Sequence, residues 1–168
     1  DLLTSLKRDF PHTTIHLNIE VASGERMLLN DEVDLGIYGT LGRHGHIDYQ
    51  RIDTLDIPLV ISSTLPLADR QQVTEADLAD YPQVILTSSD RQSPDTGILD
   101  DALKWYVSDQ QAKIALIKAG LGWGRLPHHL VADEIAGDEL ICLDTLGPMA
   151  LPIYIARQKH RVMGPVAR

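Results

Sequence analysis

Apolar and polar positions alternate between two periods along this chain. Leu2, Leu3, Leu6 and Phe10 recur at near-helical spacing with Lys7, Arg8 and Asp9 between them, and Pro11 stops the run, so an amphipathic helix is predicted. Ile15, Leu17, Ile19 and Val21 then fall on one face and His16, Asn18 and Glu20 on the other, the pattern of a half-buried strand over residues 15–21. Ser23 is placed to cap a second helix over residues 25–30, and Val33, Leu35 and Ile37 form a strand that ends at Gly39. Strands follow at residues 49–53 and 57–62; Pro58 puts the second at a sheet edge or a crossing.

The second half repeats the alternation, with a helix at 75–79, strands at 83–87 and 103–107, and a helix at 109–119 that Ser108 would cap and Gly120 would end. In that helix Ala112, Ala115, Leu116 and Ala119 are spaced as a core face. A strand at 123–126, a helix from Pro127 through Ile135, and strands at 140–143 and 151–156 complete the order. Helices and strands joined by short connections favour an α/β fold, a parallel sheet with helices on its faces.

Composition narrows the function. With 24 acidic and 15 basic residues the formal charge is −9, the wrong sign for a surface that holds a phosphate backbone. The single cysteine, Cys142, sits in an apolar stretch, makes no internal disulfide and reads as a buried small hydrophobe of a reducing, cytoplasmic protein. No apolar run approaches membrane-spanning length.

The candidate chemistry is sparse. Gly120-Leu-Gly-Trp-Gly124 has the glycines of a phosphate loop in the wrong order, helix before strand, so the nearest helix end would be its carbonyl end. His44-Gly-His46 and His128-His129 supply too few convergent ligands for zinc, and the dispersed acids show no catalytic pairing. No cofactor, metal or catalytic residue is expected. More telling are the small hydroxyl residues, since ligands in open α/β sheets bind at the carboxyl ends of strands, where helix N-termini present N–H groups. Ser23, Thr87, Ser88 and Ser108 fall at such ends and suit a small anion or carboxylate.

These segments resemble, in order, the effector-binding domain of LysR-type transcriptional regulators. The resemblance is carried by Arg8-Asp-Phe-Pro11, Val33-Asp-Leu-Gly-Ile37, Pro58-Leu-Val-Ile-Ser62, Pro66-Leu-Ala68, Ala76-Asp-Leu-Ala-Asp-Tyr-Pro82, Lys118-Ala-Gly-Leu-Gly-Trp-Gly-Arg-Leu-Pro127, Leu130-Val-Ala-Asp-Glu134 and Leu151-Pro-Ile-Tyr-Ile155. It implies two Rossmann-like lobes joined by two crossing strands, like periplasmic binding proteins of type 2. Lobe I would be residues 1–56 plus 150–168, lacking a strand expected before residue 1, and lobe II residues 57–149. It further implies an effector in the cleft near Ser23, Thr87, Ser88 and Ser108, with Arg125 for a carboxylate and Trp123 for a ring. A non-enzymatic domain is expected, which dimerises through its first helix and the 109–119 helix, with Ile114 and Ile117 needing a partner surface. A tetramer at full length and DNA contact only through an N-terminal winged helix-turn-helix complete these expectations. A periplasmic-type solute-binding protein for a small anion is the alternative.

Overall fold

The computed structural model describes residues 2–19, 23–87 and 97–160. Helix α1 (Leu2–Asp9) forms where the spacing predicts it, with Lys7 and Arg8 in the last turn, where they complement the negative end of the helix dipole. Over its described residues, 15–19, the strand predicted next does not form. Residues 12–19 have no strand pairing, and Leu17 and Ile19 are 64% and 87% exposed; Glu20 and Val21 lie outside the described residues. Alternation sets two faces, but a strand also needs a neighbour's N–H and C=O groups, and no described strand flanks this segment.

Helix α2 (Gly24–Leu29) and β1 (Gly36–Gly39) follow. Strand β1 joins β2 (Ile47–Asp56) and β8 (Ala150–Gln158) in a three-stranded sheet of order β1-β8-β2, antiparallel throughout. Leu28, Ile47 and Ala156 form its core, with Tyr38 and Tyr49 packed against them.

The chain passes through Ile57 and Pro58 into a second sheet, built from β3 (Leu59–Ser62), β4 (Gln83–Leu86), β5 (Lys104–Val107), β6 (Trp123–Arg125) and β7 (Leu140–Leu143) in the order β5-β4-β6-β3-β7. Strand β3 lies inside this sheet and is buried along its whole length, so Pro58 marks the crossing rather than an edge. The parallel pairing expected from the alternation holds only for β5-β4-β6. Strand β3 runs antiparallel to β6 and β7, because it enters directly from the other sheet without a helical crossover to reverse it.

Two clusters cover the faces of this sheet. Trp123, Leu59, Ile61, Leu67 and Leu78 lie on one side, and Val60, Val84, Ile114, Ile117 and Leu126 on the other. Helix α3 (Glu75–Ala79) is fixed by a capping box between Thr74 and Asp77. Helix α4 (Gln110–Lys118) presents Lys113, Ile114 and Ile117 to the core; of the face predicted, Leu116 packs partly against it while Ala112, Ala115 and Ala119 are exposed. Both stripes are apolar, and the isoleucines win because they remove more surface from water than alanines do. They therefore need no partner chain.

The segment predicted as one helix from Pro127 divides into a 3-10 turn (His128–Leu130) and α5 (Ala132–Ala136). Cys142 is exposed rather than buried, since β7 is an outer strand whose alternate residues face solvent. Partial burial and the neighbouring Asp56 and Asp144 raise its thiol pKa, which disfavours the reactive thiolate. Among the described residues no helix is long and apolar enough to cross a membrane.

Candidate functional site

The parallel pairing of β4 and β5 sets Leu86 beside Val107, and the Thr87 N–H donates to the Val107 carbonyl at 2.8 Å. Thr87 and Ser108, the residues that follow these partners, are thereby neighbours at the carboxyl ends of two adjacent strands. Thr87 is buried and Ser108 exposed. Ser88 lies outside the described residues. Helix α4 begins at Gln110, two residues after Ser108, so its first-turn N–H groups open onto the same edge.

Ser108 does not cap that helix. Asp109 is the cap, its Oδ1 accepting the Ala112 N–H at 2.7 Å. Both residues of the Ser-Asp pair favour capping, and sequence alone leaves the start ambiguous by one position. The substitution matters for binding, because a carboxylate already meets the positive end of the helix dipole. A bare anion gains less there than a ligand carrying a donor for Asp109.

Ser23 belongs to the first sheet's side of the molecule, buried before α2, where its carbonyl accepts the Met27 N–H at 3.0 Å; its side chain forms no capping hydrogen bond. Ser23 thus stands with one sheet, and Thr87 and Ser108 with the other.

The two residues assigned to a ligand's carboxylate and ring are occupied elsewhere. Trp123 is fully buried, and its Nε1 donates to the carbonyls of Leu78 at 2.8 Å and Tyr81 at 3.1 Å. Gly122 makes this packing possible, since a Cβ there would lie 2.3 Å from the Pro82 carbonyl oxygen. Arg125 is also buried, and its two terminal nitrogens donate to the carbonyls of Ile57, Leu146 and Gly147 at 3.0–3.1 Å. Both side chains thus donate to the protein's own carbonyls.

One residue that sequence reasoning left on the solvent face is buried beside this region. Lys113, in the first turn of α4, donates from Nζ to the Arg125 carbonyl at 2.8 Å, and burial holds its pKa down at about 8. The signal was hidden because the helix was read with the wrong face inward.

Concavities of about 450 Å³ and 220 Å³ border Asp56 and His128 near the crossings and contain none of the predicted site residues. Among the described residues no group of histidine, cysteine and acidic side chains could hold a metal ion.

Two sheets bridged by crossing segments, with helices on their flanks and hydroxyl residues at strand ends, define a two-lobed binding domain of the periplasmic-binding-protein type. The sequence model of the LysR substrate binding domain matches residues 1–168, and the chain belongs to that family, the effector-sensing part of LysR-type transcription regulators. A comparison with curated proteins finds no match. Among solved structures, the regulatory domain of MetR, a LysR family regulator from N. meningitidis, is similar at a TM-score of 0.75 and 15% identity, over 98% of this chain and 80% of that one. The CcmR regulatory domain of Synechocystis PCC6803, in complex with 2-PG, gives 0.73 and 18%, over 99% and 84%. The bromide-bound regulatory domain of HypT from Salmonella typhimurium gives 0.66 and 19%, over 99% and 83%.

Proposed function

We propose that lobe I comprises residues 1–56 and 150–168, that lobe II comprises residues 57–149, and that a small polar effector binds between them against Ser23, Thr87, Ser88 and Ser108. The observation that carries this reading is the adjacency of Thr87 and Ser108 at the ends of parallel strands, beside the start of α4. The effector is a small carboxylate that also bears a hydroxyl or ammonium group, its carboxylate on the hydroxyls and its donor on Asp109. That the CcmR domain is held with 2-PG and the HypT domain with bromide supports a small ligand. The domain senses and does not turn over its ligand: bound effector favours one arrangement of lobes or subunits over another, which requires unequal affinity for the two. In the cytoplasm such a domain reports to DNA through a separate DNA-binding segment. Thiol oxidation is a poor second mode, because partial burial and then the nearby acids oppose the Cys142 thiolate.

A thermal-shift panel of hydroxy acids, amino acids, aromatic acids and inorganic anions tests this, since a ligand of the native state raises stability by RT ln(1 + [L]/Kd), about 2.7 kcal/mol at a hundredfold excess over Kd. Ser88→Ala and Ser108→Ala are expected to weaken the response several-fold while leaving the unliganded Tm within about 2 °C. An undiminished response in both variants refutes the assignment.

The same reading includes a homodimer in which α1 of one chain packs on α4 of its partner. The exposed Ala112, Ala115 and Ala119 leave a helix surface on which a second helix can approach closely. Ala115→Glu is expected to shift sedimentation from dimer to monomer; an unchanged sedimentation coefficient excludes α4 from the interface.

A further inference from the structure

We propose that Arg125 is the clamp of the hinge, one side chain on β6 that ties together both crossings between the two sheets and so fixes the angle at which the lobes meet. The inference rests on the two-lobed sensing reading above but concerns a residue that reading does not use.

The outgoing crossing runs through Ile57 and Pro58, and the return runs from the end of β7 to the start of β8. Arg125 Nη1 donates to the Ile57 carbonyl at 3.1 Å, on the first crossing. Its Nη2 donates to the carbonyls of Leu146 and Gly147, each at 3.0 Å, on the second. Backbone bonds reinforce the junction on either side: Ile57 N–H to the Met149 carbonyl at 2.9 Å, and Leu126 N–H to the Pro58 carbonyl at 3.1 Å. The guanidinium is the point where β6 and both crossings converge. A planar fork with donors in fixed directions suits three carbonyls on two chain segments, whereas a lysine ammonium on a flexible stem does not hold all three in one geometry.

The third nitrogen connects this junction to Gly97, ahead of β5. Arg125 Nε is buried and has no hydrogen-bond partner, and it faces Gly97, where φ is +65° and an added Cβ would lie 3.1 Å from it. The chain entering β5 therefore passes against the guanidinium at Gly97. A displacement of Gly97 presses on the group that holds both crossings, which gives a change at the start of β5 a direct route to the interlobe angle.

The test needs no ligand. Spin labels placed through Gln50→Cys on β2 and Gln72→Cys beside α3, in a Cys142→Ser background, report the interlobe distance by pulsed electron paramagnetic resonance. Arg125→Lys is expected to widen that distribution about twofold while far-ultraviolet circular dichroism stays native; a distribution of wild-type width overturns the clamp. Should Arg125→Lys fail to fold, the wild-type protein carries the test through amide exchange. A clamp makes the Ile57 and Leu126 amides open together, with protection factors within about threefold of each other, and a difference of more than about tenfold overturns it. A ligand panel without hits counts against the effector reading and leaves these ligand-free outcomes as they are.

Discussion

Trp123→Ala is expected to destabilise the protein by about 3–5 kcal/mol, the range for removing a buried aromatic side chain, and to lower Tm by roughly 10–15 °C in a chain of this size. The ring is fully enclosed by Leu59, Ile61, Leu67, Leu78 and their neighbours, so its removal leaves a cavity in the middle of the second sheet's core. Its loss also strips the donor from the carbonyls of Leu78 and Tyr81. Trp123→Phe separates the two effects, retaining most of the apolar volume and giving up the donor, at about 1 kcal/mol, since the Leu78 carbonyl still accepts the Tyr81 N–H. Calorimetric or circular-dichroism melting checks both variants. A ring that served a ligand would leave the unliganded Tm unchanged in Trp123→Ala, and that result would return Trp123 to the binding surface.

Lys113→Met is expected to stabilise the protein at pH 7 and to abolish a rise in stability between pH 8 and 10.5. Burial holds the folded pKa at about 8, against about 10.4 in the unfolded chain. Below pH 8 the amine is charged in both states, and the folded state bears the full penalty, about 3 kcal/mol from the shift. Between the two pKa values the unfolded chain binds more protons than the folded one, so stability increases with pH; above 10.5 the penalty is gone. Methionine fills the same channel without a charge but gives up the Nζ hydrogen bond to the Arg125 carbonyl, worth about 1 kcal/mol. The variant should therefore gain about 2 kcal/mol at pH 7 and lose its advantage near pH 10. Urea unfolding at a series of pH values measures this as the difference between the two proteins, in which the high-pH ionisation of the buried Tyr38 cancels. Parallel curves for wild type and variant would mean that Lys113 is hydrated in solution.

Much of the secondary structure could be read from local chemistry. Helix α1, the capped α3, and strands β4, β6 and β7 appear within a residue or two of the positions their periodicity and caps predict. The order of Gly120-Leu-Gly-Trp-Gly124, helix before strand, was enough to set aside a phosphate loop, and the structure shows a helix end with φ of +70° at Gly120 instead. The family, too, could be recognised from short motifs in sequence order. Harder were the decisions that depend on what an element meets. Residues 15–19 alternate as a strand does yet lack a neighbour, and α4 offers two apolar stripes of which packing selects the larger. The site shows the same division. The positions of Thr87 and Ser108 at strand ends followed from the element order, but their adjacency required the β4–β5 register, and the commitment of Trp123 and Arg125 to the protein's own carbonyls required both crossings to be in place.

The amino-acid sequence by itself therefore determined most of the elements, the family and the acidic character of the surface, because periodicity, caps, motif order and charge are properties of neighbouring residues and of composition. Only the tertiary structure decided which face of α4 is buried and that Arg125 joins two crossings far apart in the chain. Those outcomes turn on competition among partners distant in sequence for the same buried surface and the same carbonyls, and no local pattern records who wins it.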